Sequence, residues 1–141
     1  MIRFSWENID APALDFEKVR KWIVMVAETH GFSVGNLSYL FCDDKMILDA
    51  NRKYLGHDYF TDIITFDYTH AGRIGGDMFI SVETVASNAV GIGVDADREL
   101  LRVVIHGVLH LCGIDDKGPG EREIMEMHED AALKIWVDCF V

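Results

Sequence analysis

Basic residues are scarce in this chain: 13 lysines and arginines stand against 24 aspartates and glutamates, a formal net charge of −11 over 141 residues. That balance argues against broad electrostatic adhesion to nucleic acid or anionic membrane, although it leaves room for a local basic groove. Cysteine is scarcer still. Cys42, Cys112 and Cys139 are widely spaced and odd in number, which suits reduced cytosolic thiols and excludes a disulfide framework or a thiolate zinc knuckle. No apolar run is as long as a membrane span, and MIRFSWENID lacks a basic region followed by an apolar stretch. Neither a membrane segment nor a secretory signal is therefore expected, and the expected location is cytoplasmic. Repeats, low-complexity tracts and Pro/Ser-rich linkers are also missing.

What is present is a globular composition. Half of the residues are hydrophobic, too many for wholesale disorder. The length is enough to bury a core without disulfide or metal staples, so one domain over residues 1–141 is expected. Ile2 to Trp6 alternates apolar and polar residues, as a half-buried strand does. Phe16, Val19, Trp22, Ile23 and Val26 mark a helix from about Leu14 to Glu28, closed near Gly31. Leu37 to Cys42 predicts a strand, and Asp43 or Asp44 then caps a helix carrying Met46, Ile47, Ala50 and Tyr54 on one face. Ile63 to Phe66 predicts a short buried strand. HAGRIGGD reads as a loop into a strand from Met78 to Val82, followed by a short helix from Glu83 to Val90. Asp95 caps the next helix, and an amphipathic helix runs from about Glu121 to Trp136. Strands come early and helices dominate late, the order of an α+β fold with helices packed on a small mixed sheet.

The helix after Asp95 carries the chemistry. At roughly 100° per residue, Glu99, Arg102, His106 and His110 fall within a wedge of about 80°. Apart from first-turn Asp97 and Arg98, the remaining circumference is apolar from Leu100 to Cys112. Such a helix is buried on most sides, and its narrow polar stripe faces either a sliver of solvent or a cleft. The segment HGVLHLCGIDD adds a reason to prefer the cleft. Histidines at i and i+4 put two imidazoles on one helix face at a separation that can chelate one metal. Gly113 can take positive φ and turn the chain back toward the rings. Asp115 and Asp116 then offer a third ligand. Two neutral imidazoles and a carboxylate suit Zn²⁺ with a fourth position left for water, a catalytic rather than a structural arrangement.

HGVLHLCGIDD, preceded by ELLRVVIHG, resembles the signature His-Gly-x-Leu-His-Leu-x-Gly-Tyr-Asp-His of the YbeY family of bacterial endoribonucleases. YFTDIITFDY resembles that family's Pro-Thr-Asp-Val-Leu-Ser-Phe segment, and GGDMFIS its Gly-Asp-Ile-x-Ile-Ser strand. The three blocks occur in the same order from about Asn51 to Asp116. The resemblance implies a cytoplasmic, zinc-dependent, single-strand-specific endoribonuclease acting in ribosomal RNA processing, notably 3′-end maturation of the small-subunit rRNA, and in ribosome quality control. It implies one Zn²⁺ held by His106, His110 and Asp116. Aspartate at 116 departs from the family's third histidine, and its extra negative charge should leave the bound water less acidic. Leu55 stands where the family usually has arginine, so Arg52 or Lys53 would have to contact RNA phosphate instead. Thr61 and Asp62 match the family's Thr-Asp and border the cleft or cap the following strand.

The general base stays open at this stage: Asp77, Glu99 and Asp115 are candidates by type. Arg102 either stabilises phosphate charge or pairs with Glu99 at i,i+3. Two other functions share the spacing. A metzincin-like metalloprotease has the same ligand geometry, but its base follows the first histidine, where this chain has Gly107. A non-catalytic ribosome-assembly factor would use the metal only to fasten the Gly113 loop, and metal removal would then affect folding foremost. Elsewhere, duller readings prevail. A cationic His30 complements a helix end, His57 and His70 are solvated, and His128 is a packing or cleft-edge residue. The tryptophans fit core positions. The acidic run of the last helix reads as a solvated face, where a basic ribosomal protein could dock.

Overall fold

The computed structural model describes all 141 residues. Its elements are β1 (Ile2–Trp6), α1 (Phe16–Thr29), β2 (Ser33–Cys42), α2 (Asp44–Leu55), β3 (Ile63–Asp67), β4 (Arg73–Ser81), α3 (Val82–Ile92), α4 (Ala96–Leu111) and α5 (Glu121–Phe140). The four strands form one mixed sheet in the order β1-β2-β4-β3. β1, β2 and β4 are parallel, and β3 joins β4 antiparallel as an edge strand. This is the expected α+β class.

Side-chain alternation splits the sheet into two faces. Leu37, Tyr39 and Phe41 of β2 and Ile74, Met78 and Ile80 of β4 point into the main core of 24 buried residues, with α1, α4 and α5. Cys42, Ile64 and Phe79 belong to the opposite face, where Ile47 and Ala50 of α2 meet them. Two buried polar tips tie helices down on the main face. The Tyr39 hydroxyl donates to the Val104 carbonyl of α4 at 3.0 Å, and the Trp22 indole donates to the Ala132 carbonyl of α5 at 2.8 Å. Each keeps a large aromatic buried without orphaning its polar atom.

The helix caps follow the residues expected of them. Asp43 and Asp95 accept from the backbone N–H groups of Met46 and Arg98, and Asp15 and Ser81 do the same for α1 and α3. Three expectations change. Most of the HAGRIGGD segment is strand: β4 starts at Arg73, after a two-residue turn in which Ala71 and Gly72 have φ of 51° and 74°. Positive φ at both central residues matches the right-handed twist of a hairpin. Its glycines answer to close packing: a Cβ at Gly76 would stand 2.5 Å from the Phe66 carbonyl oxygen. Trp6 is not in the core; it stacks on Phe16 at the sheet edge and is 43% exposed. His30 is not favoured as a cation, because burial, then the neighbouring His128 ring at 5.0 Å, lower its pKa.

Two outcomes are expected. Gly76→Ala should destabilise the protein by about 1–3 kcal/mol in urea denaturation, since backbone rather than a flexible side chain opposes the methyl. An NMR titration should place the His30 midpoint below 6.5, and His128→Ala should raise it. Because the folded pKa lies below the unfolded one, the stability His30 contributes is complete above the unfolded value and is withdrawn as pH falls beneath it.

Candidate active site

Helix α4 lies across the sheet so closely that there is no room for a side chain at one of its positions. A Cβ at Gly107 would run into the Met78 sulfur and approach Ile63 Cδ1 at 3.1 Å. With that side of α4 pressed on the sheet, the stripe of Glu99, Arg102 and His106 turns into a cleft of about 600 Å³. Its other walls are Asp62 at the start of β3, Asp116 in the loop after α4, and Arg122, Glu126, Glu129 and Asp130 of α5. The stripe therefore faces a cleft rather than a thin solvent strip.

Loop 112–120 is turned by the expected glycine. Gly113 adopts φ of 90°, its N–H and that of Ile114 bond the His110 and Leu109 carbonyls, and the chain doubles back beside His106. This puts Asp116 Oδ2 3.4 Å from His106 Nε2. Asp115 is exposed and lies outside the cleft. On the other side of the ring, His106 Nδ1 meets Glu129 Oε2 at 2.7 Å. A carboxylate only accepts when ionised, so Nδ1 donates to Glu129 and Nε2 faces Asp116. Burial alone would lower the His106 pKa, but the hydrogen bond to Glu129 and the charges of Glu129, Asp116 and Asp62 together raise it.

Glu129 is a 6% exposed residue on a helix expected to show a solvated acidic face. Its other oxygen, Oε1, accepts from Arg102 at 2.8 Å, and Arg102 also donates to Asp130 at 2.6 Å. The Glu99 carboxylate is farther from Arg102, at 3.9 Å. Arg102 thus clasps α4 to α5, with the expected i,i+3 pair to Glu99 as a looser third contact. Sequence reasoning missed Glu129, yet it shares a helical stripe with buried Met125, Ala132 and Leu133. A charge on an apolar stripe was the available signal.

The remaining expected residues separate. Asp77 belongs to the β4 side chains that face away from α4, between Gly76 and Met78, which removes it as a base for chemistry at His106. Arg52 pairs with Asp58, and Lys53 sits 5.1 Å over the Tyr54 ring, both on α2 beyond the sheet. The Thr61 hydroxyl bonds the Asp62 carboxylate and the Ile63 carbonyl locally, whereas Asp62 itself borders the cleft. Glu99 lines it too, and its pKa is raised by burial and by Glu129 and Asp62 against the opposing pull of Arg102. His110 is one turn beyond His106 and partly buried, and no three His, Cys, Asp or Glu side chains stand close enough together to enclose an ion.

The donor set nevertheless fits a metal in kind. Two donors about 2.1 Å from one tetrahedral ion are about 3.4 Å apart, the spacing of His106 Nε2 and Asp116 Oδ2. That spacing is too long for a strong hydrogen bond between the two groups. A ligating histidine whose other nitrogen donates to a carboxylate is the usual supporting arrangement.

The fold and the cleft define the class: a small α+β protein in which one buried helix presents histidine to a carboxylate-lined cleft against a mixed sheet. Within it, the chain belongs to the Endoribonuclease YbeY family, whose profile matches residues 2–137. It is 56% identical to Endoribonuclease YbeY of Parabacteroides distasonis over 134 residues, covering 95% of this chain and 94% of the relative. The Phocaeicola vulgatus protein of the same name is 54% identical, over 96% of this chain and 98% of its own. The solution structure of TM1509 from Thermotoga maritima shares the fold at a TM-score of 0.66 and 24% identity, covering 98% of this chain and 93% of that one.

Two substitutions at Glu129 separate its contacts. Glu129→Ala should cost about 1–3 kcal/mol in urea denaturation by leaving Arg102 and His106 short of a partner. Glu129→Gln should fold with a smaller loss. In metal-free protein, imidazole ¹⁵N shifts should show His106 as the Nδ1–H tautomer in the parent and as a tautomer mixture in Glu129→Gln.

Proposed function

We propose that this chain is a zinc-dependent endoribonuclease that cuts single-stranded RNA in the cytoplasm. Its role would be ribosomal RNA processing, including 3′-end maturation of the small-subunit rRNA and ribosome quality control. The observation that carries the reading is His106 held between Glu129 and Asp116 in the cleft, in a chain whose relatives are named endoribonucleases. Residues 1–141 would act as one unit, with ribosomal proteins as further partners. The protease reading loses support at Gly107, where any side chain enters the sheet contact.

His106, His110 and Asp116 would hold the ion. A bound zinc ion supplies Lewis acidity toward a phosphoryl oxygen and a more acidic water. Glu129 sets the His106 tautomer, and Arg102 in turn fixes the Glu129 carboxylate. Of the carboxyl groups considered as base, Glu99 is the one that lines the cleft, and burial raises its pKa. A carboxyl of that kind is suited to take a proton from an attacking water and return it to the leaving oxygen. Ile92, Val94, Val103 and Met125 line the same cleft.

Zinc content and competition with a chromogenic chelator test the ligands. Asp116→Ala should lose most of its zinc affinity and all metal-dependent cleavage of single-stranded RNA, and Asp116→His should retain zinc. Asp115→Ala should keep the metal. Equal zinc affinity in Asp116→Ala and the parent would remove Asp116 from the site. Glu99→Gln should bind zinc normally while kcat falls about 10²- to 10⁴-fold, the usual worth of a positioned acid–base group; an unchanged kcat would exclude Glu99.

A further inference from the structure

The cleft is poorly equipped to hold a polyanion. Six carboxylates line it against three arginines, and Arg102 is already engaged by Glu129 and Asp130. An RNA strand near His106 therefore needs a grip that does not depend on charge. The exposed aromatics supply one. Tyr54, Tyr59, Phe60 and Tyr68 are 55%, 55%, 59% and 64% exposed, and all lie within one segment flanking β3. Apart from Trp6, no other tryptophan, tyrosine or phenylalanine is comparably bare.

This segment is ordered by contacts that leave its rings open. Asn51 donates from its side chain to the Tyr59 carbonyl at 3.0 Å and is itself buried. The Tyr59 ring stacks on His57 at 5.2 Å and 20°, and its hydroxyl meets His57 Nδ1. Lys53 lies over Tyr54, whose edge meets Phe66 of β3. The chain then runs from Phe60 through Thr61 to Asp62, which is in the wall of the cleft. Bare rings, interleaved with Lys53 and His57, thus lie in the segment that leads in the chain to Asp62 in the cleft wall.

Resting on the endoribonuclease reading, we infer that Tyr59 and Phe60, with Tyr54 and Lys53 behind them, form a base-stacking subsite for single-stranded RNA entering the cleft. Every base has a π-face, so such a platform accepts varied sequences, while a duplex with its bases already stacked gains nothing from it. Stacking is also insensitive to salt, which suits a protein of net charge −11 that releases few counterions on binding.

The test uses full-length protein kept metal-free with chelator, so that binding is separated from cleavage. The probe is a fluorescein-labelled single-stranded RNA of about 15 nucleotides, near the upper site size of single-strand binders. Tyr59→Ala and Phe60→Ala should each weaken binding about thirtyfold, the middle of the range for loss of one stacked base. The same factor should appear at every salt concentration, with circular dichroism unchanged. Tyr59→Phe should bind like the parent, and Tyr59→Leu should lose as much as Tyr59→Ala. Parental affinity in the two alanine variants, or in Tyr59→Leu, overturns the subsite and leaves the nuclease reading intact. A parent that binds no RNA, or that self-associates through this surface instead, overturns both.

Discussion

The Glu129 carboxylate joins the parts of this protein that have to agree. One oxygen accepts from His106 and the other from Arg102, so one group on α5 sets both the orientation of an imidazole and the spacing of two helices. Burying it is costly unless both oxygens are satisfied. Arg102 is bound further by Asp130 at the cleft edge, and the network leaves no buried side-chain polar atom without a partner. A network of that kind admits few alternative packings, because a small slide of α5 along α4 would strand several charges together.

The sheet sorts residues by face, and that sorting decides which polar groups can cooperate. Met78 and Gly76 support α4, while Asp77 between them is turned toward the α2 side. Arg52 and Lys53 belong to that other side and reach the cleft only around the β3 edge, where the exposed aromatic segment lies. At Gly107 and Gly76, neighbours on the sheet approach too closely for a Cβ. The absence of a glutamate after His106 is thus a packing requirement as well as a chemical difference from metzincin proteases.

Periodicity and caps made most elements legible in the chain itself: the strand from Ile2 to Trp6, the helix after Asp95 and its polar stripe all match the structure. The β4 start was hidden because its glycines imitate a loop; only the Phe66 carbonyl opposite Gly76 explains them. Asp116 was preferred to Asp115 from ligand spacing, and the turn at Gly113 brings Asp116 rather than Asp115 beside His106. Glu129 was not read: its place on the apolar stripe of α5 marked it as buried, but its partners on α4 are more than twenty positions away and periodicity does not name them. Asp77 was misjudged because proximity of type says nothing about which face of a strand a side chain takes.

The cleft borrows a wall from the last long helix. Asp116, Glu129 and Asp130 all follow α4 in the chain, and α5 docks through Trp22 and Arg102 onto elements made earlier. During synthesis from the N-terminus, the sheet and α4 are complete while His106 still lacks both of its carboxylate partners. Order of emergence thus delays the cleft: until residues near 130 are folded back, the His106 ring lacks the Glu129 carboxylate that orients it. The chain is in this way born without its carboxylate-lined cleft, and acquires it only as its closing helix settles.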